Sequence, residues 1–307
     1  MFYTCTSMAI YRFTVVLFGI ALAYIPGYGQ AQDAVNTKKE YRIPFVITDY
    51  NNISIEAIIN GVDTAHLMLH TAASSMTLIE EAAQRASSIR FDGTDTGVKS
   101  WGGQENSSRY SNHNSLQIGD MVWKDIQIGE NKFSGQQTDG KVGLDLFAGR
   151  VVVIDYAEKM LTIRNELPNV KRYQKLKLTK DGDLLFIEVG CRIGDAIVPR
   201  KFLIHSGYSG ALLLDDKFVT EHRLGETLTI VGSKELKDSF GNVLKTQKAV
   251  LPSVRIGHCE LKDVSAGFFE GAIGRQKMSV MGGEVLRRFK IVLDGERTFI
   301  YIYEQNS

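Results

Sequence analysis

The chain has 307 residues, 44% of them hydrophobic and 23% charged, the composition of a globular protein with room for two lobes. Its 36 basic and 35 acidic residues leave a formal net charge of +1, so the charge balance points to neither nucleic acid nor an anionic membrane surface as partner.

At the N-terminus, Arg12 precedes the apolar run "FTVVLFGIALAYI", followed by "PGYGQAQD". A basic start, a short apolar core and small residues before a polar stretch read as a secretory signal peptide over residues 1–30, cleaved after Gly29 or Ala31. The run is too short for a comfortable membrane span. The expectation is an exported chain, periplasmic or secreted, with no stable membrane anchor after cleavage. Cys5 precedes the apolar core and does not read as a lipid attachment site. Export leaves Cys191 and Cys259, for which an oxidising compartment permits a disulfide without establishing one. Neither has a CxxC partner, which argues against a thiolate zinc site.

Beyond this segment the elements are short strands. "ISIEAIING", "SLQIG", "VVVID", "LTIR", "LFIEVG", "FLIH", "ALLL", "SVRIG", "KIVLD" and "FIYIY" are β-branched or aromatic and bounded by Gly, Asp or Asn. Helical periodicity appears only at "TLIEEAAQRAS" and near "LDDKFVTEHRL". The basic stretch "NVKRYQKLKLTK", residues 169–180, reads as a solvated connection between lobes.

The strands repeat. "SLQIGDMVWKDIQIG" from Ser115 matches "SVRIGHCELKDVSAG" from Ser253, an offset of 138. "VGLDLFAGRVVVIDYAEKMLTI" from Val142 matches "MGGEVLRRFKIVLDGERTFIYI" from Met281, an offset of 139. His70 in "LMLHTAASS" and His205 in "FLIHSGYSG" are 135 apart. Such a period is too long for a solenoid repeat or a propeller blade. It fits a duplicated β domain, with lobes over residues 40–164 and 165–305.

Each half reads as an apolar strand, H-[TS]-[AG]-x-S, a short helix, a glycine-containing stretch, two strands, apolar-apolar-Gly and a last hairpin. This resembles the retropepsin-like and pepsin-like aspartic proteases, most of all the exported bacterial two-lobed type. The resemblance implies a mostly β, bilobal fold with pseudo-twofold symmetry and a cleft between the lobes. It puts His70 and His205 where the family carries its catalytic aspartates. It implies that Thr71 and Ser206 cross-brace the two loops. Ser74 and Ser209 match the hydroxyls that bond the outer aspartate oxygens, and Val142-Gly143 and Met281-Gly282 match the segments beneath. Trp101, in "SWGGQ", falls in the flap interval, whose second-lobe counterpart is residues 232–242.

Thr71, Ser74, Trp101, Ser206 and Ser209 are therefore the candidate ligand-binding residues around His70 and His205. Two adjacent imidazoles resist a doubly charged state, so at neutral pH the pair should be neutral or carry one positive charge. The expected function is a pseudoprotease that holds a peptide or small ligand in the cleft without aspartic peptidase chemistry. The alternatives are a hydrolase using the His pair and a metal-binding protein with a transition metal on His70 and His205. No other cofactor is expected. His66 lies four residues before His70, about 13 Å along a strand, too far to be a third ligand. Asp145 and Glu284 match one another after a glycine, where an acid meets a helix N-terminus. Asp155 and Asp294 read as turn residues. His113, His222 and His258 have no partner pattern.

Overall fold

The computed structural model describes residues 38–99, 105–133, 136–237, 243–269 and 276–305. The segment read as a signal peptide lies outside them, as does Trp101. Three sheets make up the described part. The first-lobe sheet runs, in spatial order, Val46–Ile47, Ile53–Ile59, Asp63–His70, Gly140–Gly143, Met76–Ile79, Met121–Asn131, Glu105–Ile118, Gly93–Lys99. The second-lobe sheet runs Thr179–Asp181, Leu184–Ile193, Ala196–Ile204, Ser279–Met281, Leu212–Leu213, Cys259–Phe269, Val243–Ile256, Ile230–Lys237. Taken in sequence, the strands of the two sheets stand in the same spatial order. The duplication read from matched blocks is thus a duplication of topology, in a mostly β, two-lobed fold like that of aspartic proteases.

The third sheet belongs to both halves. Its order is Glu40–Pro44, Met160–Arg164, Val151–Asp155, Phe289–Leu293, Phe299–Glu304, Gln174–Lys177, three strands from each lobe. Its central pair is antiparallel, with Val153 opposite Val292. Five valines and isoleucines at this junction, Val152, Ile154, Ile291, Val292 and Val153, are buried. Continuous β-branched runs are what a strand covered on both faces needs. The basic stretch is therefore more than a connection. Gln174–Lys177 is an edge strand, and the Lys175 ammonium lies 3.7 Å from the Phe299 ring centroid.

Among the described residues helices are few and short: Glu80–Arg85, Asp216–Glu221, Leu224–Thr227 and Gly283–Leu286, with a 3₁₀ turn at Leu144–Phe147. In "TLIEEAAQRAS", residues 77–79 are strand rather than helix, because they pair in parallel with residues 129–131. Asp145 and Glu284 open the turns that follow Gly143 and Gly282, as read from sequence. Asp294 accepts from the amides of Thr298 and Phe299 within its turn. Asp155 does more: it is buried and also pairs with Lys290 at 2.5 Å across the shared sheet. Of the remaining histidines, His113 meets Asp125 at 2.5 Å on the surface and His222 packs on Phe218. Cys191 and Cys259 are both free, Cys191 buried opposite Val198 and Val254, Cys259 accepting from Gln174 at 2.8 Å.

Candidate functional site

Each His loop hangs from the end of a buried strand laid in parallel against an apolar-Gly strand. In the first lobe Leu67 and Leu69 face the core with no exposure, and His70 lies opposite Gly143. In the second, Ile204 lies opposite Met281, and the His205 amide donates to the Met281 carbonyl at 2.9 Å. The loops then close in the same way. The Ala73 amide donates to the His70 carbonyl at 3.1 Å and the Tyr208 amide to the His205 carbonyl at 3.0 Å. A Cβ on Gly143 would strike the Ala73 carbonyl, and one on Gly282 the carbonyls of Tyr208 and Gly210. Glycine beneath each loop is what lets the two backbones approach.

Two hydroxyls tie the loops together. The Thr71 amide donates to Ser206 Oγ at 3.0 Å, and the Ser206 amide to Thr71 Oγ1 at 3.0 Å. Thr71 Oγ1 donates onward to the Ile204 carbonyl at 2.7 Å, and Ser206 Oγ to the Leu69 carbonyl at 2.5 Å. Both residues are buried, at 3% and 1% exposure, and their hydroxyls are spent on this brace, so their part is to hold the loops. A further clamp, unforeseen from sequence, comes from Asn51. Its side chain donates to the Ser209 carbonyl at 2.9 Å and accepts from Arg287 at 2.9 Å.

The brace brings the rings of His70 and His205 to 4.5 Å between centroids, tilted by 56°. Both are half-buried. His70 Nδ1 accepts the Ala72 amide at 3.2 Å, so the neutral ring carries its proton on Nε2. Gly207 packs on this ring: a Cβ there would lie 2.5 Å from His70 Cδ2 and 2.7 Å from Nε2. The second ring is not treated alike, for His205 Nδ1 is buried with no hydrogen-bond partner among the described residues. Burial, then the neighbouring His205 and Lys141, hold the His70 imidazolium well below its usual range. Burial, with Lys141 adding to it, lowers His205 to about 4. Of the two charge states allowed by sequence, the pair takes the neutral one at pH 7.

Lys141 was not singled out from sequence. It sits in "DGKVG", within the apolar-Gly strand, where the repeat offset of 139 sets Val280 in the second lobe. A lysine at that place in an apolar strand was the available signal. Lys141 lies opposite Met68, and alternation puts Met68 and His70 on one face of their strand. Burial lowers its ammonium to about 8, and among the described residues no carboxylate acts to raise it.

Ser74 is exposed and Ser209 half-buried, and neither hydroxyl hydrogen-bonds to a described residue. The bond such a serine makes to an outer aspartate oxygen has no counterpart here, because an imidazole has no outer oxygen. Beside the second loop, Tyr208, Ser209, Gly210, Tyr50 and Lys234 line an open pocket of about 310 Å³. Among the described residues no three His, Cys, Asp or Glu side chains cluster as a metal site would need.

No curated protein matches this chain. Residues 55–146 match the family described as aspartyl protease, a span holding His70, Thr71, Lys141 and Val142-Gly143, and over it the chain is similar to those enzymes.

Proposed function

We propose that this is an exported pseudoprotease whose inter-lobe cleft binds a peptide or other small ligand without aspartic peptidase chemistry. The observation that carries the reading is the 4.5 Å facing of two imidazoles on an intact hydroxyl brace. An aspartic peptidase works with two carboxylates sharing one proton, an arrangement of net charge about −1 that polarises the attacking water. Two neutral imidazoles beside a lysine supply the opposite field. A braced, close-fitting loop pair without the reactive groups keeps the means of holding a ligand and loses the means of cutting it.

The metal reading is weaker on the same residues. One His70 nitrogen is taken by the Ala72 amide, no third ligand clusters with the pair among the described residues, and the nearby ammonium repels a cation. The test is incubation of the mature chain with peptide libraries from acidic to neutral pH, alongside a pepstatin-type inhibitor. No cleavage and no tight inhibitor binding are expected. Reproducible cleavage that disappears in His70→Ala would overturn the reading in favour of a hydrolase.

A further inference from the structure

The site holds two donors, the Lys141 ammonium and the His70 Nε2–H, that no described residue receives. The Lys141 ammonium makes no hydrogen bond or ion pair with any described residue. Lys141 lies across the ladder from Met68, on the face of the strand that carries His70. It acts electrostatically on both rings, and among the described residues the charged or ionisable groups that bear on them are Lys141 and, for His70, the other imidazole. The neutral His70 ring has its Nδ1 satisfied by the Ala72 amide, which leaves Nε2–H to donate, and this group too has no partner among the described residues. Partly buried cations that lack an anion are costly, and a bound anion removes that cost.

From this arrangement we infer that Lys141, His70 and His205 form a receptor for one carboxylate of the cleft ligand, Lys141 supplying the counter-charge and the His70 Nε2–H a directed hydrogen bond. The inference rests on the binding reading of the cleft and adds the chemical class of what is bound. A single carboxylate matches the site better than a dianion, since only one full positive charge is present at pH 7. It also reverses the electrostatics of an aspartic dyad while keeping the same loops. The recognition point is thereby set in the first lobe, since the second lobe has Val280 at the position that matches the lysine.

The charge state sets a pH dependence. The ammonium with its pKa near 8 is mostly charged at pH 7 and mostly neutral at pH 9, so affinity for a carboxylate falls about tenfold between them. The experiment uses acetate as probe, acetamide as its uncharged counterpart, and the ring NMR signals of His70 and His205 as readout, at constant ionic strength. Acetate is expected to shift both rings saturably at pH 7, to bind about tenfold more weakly at pH 9, and to lose its effect in Lys141→Met. Acetamide is expected to do nothing at the same concentrations. Blocked glutamate and N-acetylglycine then tell a side-chain carboxylate from a chain terminus. Equal responses to acetate and acetamide would overturn the carboxylate receptor while leaving a binding cleft. Acetate binding that ignores both pH and Lys141→Met would overturn the role of the lysine. No saturable shift at all would overturn the inference outright. The cleavage assay judges the pseudoprotease reading separately. If Lys141→Met fails to fold, the pH series on the unaltered chain decides.

Discussion

Thr71 and Ser206 stand 135 positions apart and exchange hydrogen bonds of 3.0 Å, each backbone amide donating to the other's hydroxyl. Each hydroxyl then donates to a carbonyl of the opposite lobe, so four buried backbone groups depend on two side chains. Removing either hydroxyl leaves an amide and a carbonyl buried without a partner. Thr71→Val and Ser206→Ala should each destabilise the chain by about 1–3 kcal/mol. The double variant should cost less than the sum, because the first loss already breaks the shared pair. Urea unfolding of the three variants measures this, and strict additivity would show that the two hydroxyls act independently.

Gly207 lies against the His70 ring, where an added Cβ would come within 2.5 Å of Cδ2 and 3.2 Å of the Met68 methyl. Gly207→Ala should push the ring from its seat at a cost of about 1–3 kcal/mol. The His70 ring signals should move while the brace, one residue away, persists. An unshifted His70 ring in a folded variant would mean that the loop, not the imidazole, yields.

A half-buried ammonium with no anion among the described residues should be a burden on the apo protein. The folded chain holds Lys141 near 8, below its usual 10.5, so between those values the unfolded chain binds the extra proton. Its cost to stability is therefore full below pH 8 and fades as pH rises towards 10.5. Lys141→Met should raise the stability of the ligand-free chain at pH 7 by about 1–2 kcal/mol. Thermal unfolding at pH 7 and pH 10 tests it, and a variant destabilised at pH 7 would contradict it.

His205 imposes a dependence in the acid range. Its folded value near 4 lies below the ordinary 6.5, so from pH 6.5 down to about 4 the unfolded chain takes up a proton that the folded chain refuses. Stability falls across that window, and His205→Gln should flatten the fall by on the order of 2 kcal/mol. Unfolding free energies at pH 7 and pH 4.5 for both chains are the measurement; parallel curves would sink the assignment.

Asp215 is fully buried, caps the helix Asp216–Glu221 through the Phe218 amide at 2.9 Å, and receives Arg200 at 2.8 and 2.5 Å. Hydrogen bonds from Ser279 and Arg200 hold its carboxyl below the usual range despite burial. Asp215→Asn removes the charge that these donors answer and should cost about 3 kcal/mol, since breaking a buried pair strands its partner. The unaltered chain should lose this contribution as pH falls below the ordinary aspartate value of 3.8. Chemical denaturation at neutral pH is the check, and a loss under half that size would mean Arg200 finds another partner.

Much of the architecture was written locally. The apolar runs ending at His70 and His205, the hydroxyl after each, and the glycines at positions 143 and 282 are local patterns repeated at almost one offset, so the paired lobes and loops could be read by comparing one half with the other. Alternation along a strand also says which residues share a face. What alternation cannot say is which strand lies alongside. Lys141 becomes a neighbour of Met68 only because two strands some seventy positions apart pair in parallel, and Asn51 meets Ser209 only because the lobes close. The three-plus-three sheet is likewise a product of assembly, with Val153 meeting Val292 from the other half. The charge of the site belongs to the same class. An imidazole reads as a group near 6.5 in any sequence, and it is the sum of surrounding protein and a cation from a distant strand that makes both rings neutral and leaves the positive charge on a lysine.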